Sequence, residues 1–304
     1  MVAPIRQIST ERRPPHTLWV VARRSTTNER LVDALNACGV RARRVDPGDC
    51  NRLIRRADAA LGRLDVLPTL DGVEDGIWEL RRVERRAMRV LNPAHSLVLC
   101  HDKLRTFETL ARVGLPQPRT AHVRSGATAP RMRGPVVVKP RFGSWGRDVE
   151  RCGSRAELVR CLDRIAGRPW FERQGAIVQE LIPPLGVDLR VVVAAGRVIG
   201  AVERVAAPGE WRTNVALGAS RRPVAPPPKA CVLAIAAAAA VGGDLVGVDL
   251  HPLTNGGCVV LEVNAAVDFT TEYSCPGEDV FTEAAGAIST LLESPSEDVA
   301  EVGG

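Results

Sequence analysis

Short apolar runs alternate with helical spacings through the first third of the chain. Leu18–Ala22 (LWVVA) reads as a buried strand. Thr27–Cys38 spaces its apolar residues at helical intervals and stops at Gly39, a good C-cap. Val40–Val45 alternates apolar residues with arginine, as a strand does, and Asp58–Val66 predicts a third strand. Glu74–Arg89 has the pattern of a charged amphipathic helix. This alternation predicts a small parallel α/β domain over residues 17–92, preceded by a flexible leader at 1–16.

Asn92-Pro93 opens a second region, 93–293. Asp102–Val113 predicts a helix stopped by Gly114 and Pro116, and 122–133 a polar loop. Pro135–Pro140 is a compact buried strand, followed by a glycine-rich turn and a helix over Ser154–Ala166, with Ser154 as N-cap and Glu157 completing a capping box. Ala176–Ile182, Leu189–Ala194 and Val198–Val205 read as strands, the last two joined by a turn at Gly196-Arg197. Residues 223–229 are a proline-rich loop and Ala230–Val241 a helix. Leu245–Leu250 and Cys258–Val263 predict an antiparallel pair. A helix over Asp279–Leu292 closes the region, and 294–304 has the composition of a disordered tail.

Composition narrows the class. The 304 residues are 45% hydrophobic and 25% charged, ordinary for a globular protein. No apolar run approaches the ~20 residues of a membrane span and no secretory h-region is present, so the expected location is the cytoplasm. The eight cysteines form no CxxC pair and read as buried hydrophobes in a reducing compartment. The net charge of +6 is spread among 35 acids with no basic tract, which disfavours nucleic acid and leaves an anionic small molecule. Only three of 41 basic residues are lysine: Lys103, Lys139 and Lys229. A compact ammonium retained against so strong an arginine bias points to a narrow anion pocket.

Candidate chemistry clusters in four places. Lys139 ends a buried strand and leads into Gly143-Ser144-Trp145-Gly146, whose glycines let backbone approach a phosphate; a hairpin with an aromatic anchor reads the same way. The turn is neither a Walker A nor a GxGxxG motif. Asp249, Glu262 and Asn264 sit in two apolar strands that can pair, with 262 and 264 on one face. Solvent-facing acids are the alternative, but apolar neighbours favour a hard oxygen site for Mg²⁺. Gln179-Glu180-Leu181 can read adenine at a strand end, with Asp188 on ribose, or can be a plain edge strand. Arg190, Arg204 and the run Arg212-Thr213-Asn214 line the same sheet, as phosphate clamps or as surface charges.

Taken in register, these segments resemble the RimK-like branch of the ATP-grasp ligases, which includes ribosomal-protein glutamate ligases and LysX-type amino-acid ligases. The resemblance covers about residues 90–290: Asn92, His101-Asp102-Lys103, VVVKP, FGSWGR, QELI, DLR, WRTN, GVDL and LEVNAAVDF. It implies an α+β ATP-grasp fold. A central subdomain (about 100–180) and a C-terminal subdomain (about 181–293) would enclose ATP behind the N-terminal pre-grasp domain. It implies Lys103 and Lys139 on the phosphates, Gly143, Ser144, Trp145 and Gly146 covering them, Glu180 and Leu181 on adenine and Asp188 on ribose. Arg212 and Thr213 would lie at the nucleotide–substrate junction. Asp249, Glu262 and Asn264 would hold two Mg²⁺ or Mn²⁺, and Arg190, Arg204 and Asn214 would serve the reacting groups. The implied reaction joins an amino acid such as glutamate to a second substrate through an acyl phosphate. The partner would be a small molecule or a carrier or protein terminus, and the assembly a homodimer or homotetramer. Glutamylation of a pterin or deazaflavin cofactor or of a ribosomal protein, and a non-catalytic ATP-binding regulator, are the alternatives. After Asn264 the chain reads Ala-Ala-Val-Asp-Phe where many relatives carry a proline–glycine turn, so the acceptor stays open.

Overall fold

The computed structural model describes residues 15–124, 126–183 and 185–294; nearly all of the expected leader and tail lies outside the described residues. The described residues form three sheets. The first is parallel, ordered β2-β1-β3-β4, from β1 (Leu18–Ala22), β2 (Ala42–Val45), β3 (Ala59–Arg63) and β4 (Arg89–Leu91). Helices α1 (Thr26–Ala37), α2 (Cys50–Leu53) and α3 (Ile77–Glu84) fill its connections. Ser25 caps α1 by accepting from the Asn28 N–H. Helix α3 is shorter than the spacing predicts. Gly76, with φ +113, takes the left-handed region just before it, and residues 89–91 pair as an edge strand.

Helices α4 (Ala94–His101) and α5 (Lys103–Arg112) lead to the central sheet, and the first of these was not legible as a separate helix. Asp102 breaks the pair and caps α5, accepting from the Leu104 and Arg105 N–H groups. The central sheet is antiparallel, ordered β5-β8-β6-β7. It comprises β5 (Thr120–Val123), β6 (Val136–Pro140), β7 (Glu150–Cys152) and β8 (Ala176–Glu180), with α6 (Arg155–Ile165) and α7 (Pro169–Gln174) between the last two. Ser154 caps α6, while the Glu157 carboxylate reaches back to the Gly153 N–H at 2.7 Å, one residue before the expected partner.

The third sheet is antiparallel, ordered β11-β10-β9-β12-β13. Its elements are β9 (Val187–Ala194), β10 (Arg197–Val205), β11 (Ser220–Pro223), α8 (Pro228–Ala240), β12 (Leu245–Pro252), β13 (Cys258–Asn264) and the final α9 (Val280–Glu293). The β9–β10 turn falls at Ala195-Gly196, both at positive φ, one residue earlier than expected.

The cores do not follow the sheets. One joins the first sheet to the third through Val21, Leu64, Leu97, Val191, Val246 and the buried alanines of α8. A second joins the opposite face of the first sheet to α9 through Leu31, Leu35, Phe269, Phe281 and Ile288. Asn92, fully buried, staples this body. Its amide donates to the Leu245 and Ala265 carbonyls and its Oδ1 accepts from the Asp244 and Leu245 N–H groups. The central sheet has a core of its own, built on Val136, Val138, Val178, Leu158 and Trp170. Among the described residues no helix is long and apolar enough to cross a membrane, and the eight cysteines are unpaired.

Candidate active site

Strand alternation sorts the side chains that meet between the central and third sheets. In β6, Val136 and Val138 point into the central core, so Val137 and Lys139 face the other way. Cross-strand pairing of Val137 with Gln179 and Lys139 with Ile177 puts Gln179 on that same face. In β9, Leu189, Val191 and Val193 enter the core, leaving Asp188 and Arg190 outward. Register then aligns Arg190 with Asp249 and Asp249 with Glu262, and sets Arg204 opposite Asp188.

The cleft between these faces has a volume of about 990 Å³, counting space open to solvent. Every residue expected to contact ATP lines it, as do Arg204, Asn214, Asp249 and Glu262. Arg190 and Asn264 do not; they line an adjoining cavity that shares Ser144, Trp145, Arg204, Asn214 and Glu262 with the cleft. Lys103 bridges the two walls. Its Nζ donates to the Gly143 carbonyl at 2.7 Å and pairs with Glu262 at 3.0 Å. Lys139 donates to Gln179 Oε1 at 2.8 Å, and Gln179 is held in turn by Thr120. Burial pulls the Lys139 ammonium down to about 8, reinforced by Lys103 and opposed by Glu262 and Asp249.

A buried four-charge network lies beneath the cleft and the adjoining cavity. Arg190 is bidentate to Asp249, both bonds 2.7 Å. Arg204 is bidentate to Asp188 and also reaches Asp249 at 2.7 Å. Burial would raise Asp249, but Arg190 and Arg204 hold it well below the usual carboxylate range. Burial wins at Asp188, whose pKa is raised despite Arg204. Two arginines and two aspartates sum to zero, which lets the group stay buried. The carboxylate expected on ribose is therefore held by Arg204 and Thr213. Likewise, the N–H groups of Glu180 and Leu181 donate to the Arg119 and Pro135 carbonyls, so adenine would meet their other atoms.

The glycine turn closes the far side. Gly146 has φ +71, and a Cβ there would lie 2.6 Å from Asn214 Oδ1. Trp145, also at positive φ and half exposed, lines the cleft and both neighbouring cavities. Arg212 ties the turn down through the Gly146 carbonyl at 3.2 Å and is itself held by Glu210. At the base of the turn, Arg141 pairs with Asp102, linking it to the start of α5.

The donor set suits a hard divalent cation: two carboxylates and an amide oxygen around Glu262, the member facing both cavities. The carboxylates are neutralised by Arg190, Arg204 and Lys103, cations that a metal would partly replace. Among the described residues no group of three or more His, Cys, Asp or Glu is arranged around a metal, so further ligands would come from phosphate oxygens and water, as Mg²⁺ commonly takes them.

Sequence reasoning passed over several members. Gln179 was read only through its backbone, although a polar residue in an apolar strand was visible. Asp65, Asp268, Arg221 and Tyr273 join the adjoining cavity. His251 lines the cleft, and its Nε2 has no partner among the described residues. His101 is structural: it bonds the Leu64 carbonyl at 2.7 Å, and burial pulls it down to about 4.

Residues 100–287 match the family model for the RimK-like ATP-grasp domain. The chain belongs to the RimK-like ATP-grasp family. It is 30% identical over 272 residues to a probable alpha-L-glutamate ligase of Serratia proteamaculans, covering 83% of this chain and 88% of that one. Two solved structures share the fold. D-cycloserine synthetase DcsG matches with TM-score 0.68 at 20% identity, over 91% of this chain and 99% of the other. The ATP-grasp ligase PsnB, solved with a phosphomimetic variant of its minimal precursor, Mg and ADP, matches with TM-score 0.64 at 16% identity, over 92% and 99%. The three sheets are thus an α+β ATP-grasp fold, and the chain is an ATP-grasp ligase, an enzyme forming carbon–nitrogen bonds.

Proposed function

We propose that the chain joins the carboxylate of one substrate to the amine of another through an acyl phosphate, consuming ATP and releasing ADP and phosphate, with glutamate as one partner. The observation that carries this reading is that Lys103, Lys139, Asp249 and Glu262, remote in sequence, face one cleft. The glutamate assignment is supported by the relative's name. Segments 100–180 and 181–293 supply the two walls around the nucleotide.

The two lysines offset phosphate charge, and the wide fork of an arginine would not enter between Gly143 and Glu262 as Lys103 does. Asp249, Glu262 and Asn264 would hold one or two magnesium ions, which neutralise phosphate charge when bound. Arg190 and Arg204 face the adjoining cavity, where they can steady the acyl phosphate. Transfer of the γ-phosphoryl to a carboxylate oxygen makes the acyl phosphate. The ammonium first sheds one proton to solvent; the amine nitrogen then bonds to the acyl carbon, the carbon–oxygen bond to phosphate breaks, and the remaining surplus proton leaves with the phosphate. The Gly143–Arg147 turn covers the site and keeps water from the intermediate.

The test is mass spectrometry on the purified chain with ATP, Mg²⁺, glutamate and candidate partners. A product equal to the sum of two substrates minus water should form with stoichiometric phosphate. AMP and pyrophosphate in place of ADP and phosphate would remove the acyl phosphate from the account.

A further inference from the structure

On the third-sheet wall of the cleft, His251 stands beside Asp188. Register pairs Asp249 with Arg190 and Leu250 with Leu189, so the next step along β12 sets His251 against Asp188. Leu250 and Leu189 enter the core, and alternation turns His251 and Asp188 together toward the cleft, which both line. Side chains so placed on adjacent strands have Cβ atoms about 5 Å apart. His251 is 7% exposed. Its Nε2 bonds nothing among the described residues, although the Ile182 and Pro183 carbonyls lie near the ring. A buried polar atom without a partner is costly, and one that lines a cleft can be satisfied by what enters it.

The neighbouring carboxylate is nearly filled. Asp188 Oδ1 accepts from Arg204 Nε, and Oδ2 accepts from both Arg204 and Thr213. Of the roughly four acceptor positions of a carboxylate, that leaves room for one hydroxyl. Two adjacent hydroxyls therefore need a second partner, and Nε2 of His251 is the open polar atom next to the first. A hydroxyl both donates and accepts, so it satisfies Nε2 in either tautomer, whereas the amino group of adenine only donates. Resting on the ligase reading above, we propose that His251 binds one hydroxyl of the ribose, with Asp188 taking the other, and that this contact makes the cleft select ribonucleotide over deoxyribonucleotide. His251 is then a specificity residue, remote from the phosphoryl group that is transferred.

Calorimetric titration of the magnesium complexes of ATP, 2′-deoxy-ATP, 3′-deoxy-ATP and inosine triphosphate into the full chain, wild type and His251→Leu, tests this. The wild type should bind both deoxynucleotides at least about fivefold more weakly than ATP. In His251→Leu, ATP should weaken by that factor while one deoxynucleotide keeps its wild-type Kd within about twofold, so that its disadvantage disappears. The other deoxynucleotide should keep its disadvantage, which Asp188 sets. Equal binding of ATP and both deoxynucleotides to the wild type, which needs no variant to fold, would overturn the proposal. So would a His251→Leu chain in which both deoxynucleotides keep their disadvantage, whether all four affinities fall together or none does. Loss of only the preference for ATP over inosine triphosphate would place the ring on the base and overturn it too. Failure of ATP itself to bind the wild type would instead strike the ligase reading.

Discussion

Asp249 is the residue on which the buried network turns, since it alone contacts both Arg190 and Arg204. Asp249→Asn would leave two buried guanidinium groups against Asp188 and is expected to destabilise the fold by about 3 kcal/mol, read as a lower denaturant midpoint at unchanged slope. The folded pKa is depressed, so its contribution is complete above the unfolded value near 3.8 and is lost as pH falls toward the folded one. Acid unfolding should therefore begin at higher pH in a variant whose network is already weakened, such as Arg190→Gln. Lys139 has the opposite chemistry. With Lys103, Glu262 and Asp249 as its charged neighbours, it loses its proton near pH 8 in the free protein. Phosphates would restore that proton. Calorimetry of ATP in buffers of different ionisation enthalpy should show proton uptake growing from pH 7 to 9, with the Kd rising by up to about tenfold per unit above pH 8. No uptake would mean that Lys139 does not face the phosphates.

The glycine turn is the element most exposed to test. Gly146→Ala puts a Cβ against Asn214 at a φ that disfavours side chains. It should cut turnover by roughly 10²-fold through misplacement of the turn while circular dichroism stays unchanged. Elements with a long run of one period were legible: β6, β9, β12 and β13, and helices α1, α5, α6, α8 and α9. The failures are short. Strands β4 and β7 have three residues each, too few to display a period, and the eight residues of α4 are mostly buried, so they show no amphipathic stripe to mark them as a helix before the one that starts at Asp102. The motif residues of the cleft were legible because glycines, lysines and embedded carboxylates are unusual where they stand. His251 was not, because one histidine in an apolar strand reads first as structural.

At the scale of the whole molecule, the first and third sheets share two cores, while the central sheet keeps its own. The cleft proposed for the nucleotide therefore lies between two separately packed bodies. On adding Mg·ATP, hydrogen exchange at residues 142–147 should slow at least tenfold while α1 and α9 stay unchanged; uniform protection would argue against closure of one body on another. The central claim is that one cleft, walled by Lys139 on one sheet and Glu262 on another, holds one Mg·ATP. Its most direct test is calorimetric titration of Mg·ATP into the wild type, Lys139→Met and Glu262→Gln. One site per chain should appear, weakened at least tenfold by Lys139→Met, with Glu262→Gln removing the gain in affinity that magnesium gives. Binding indifferent to both substitutions, or no binding in the wild type, would contradict the account.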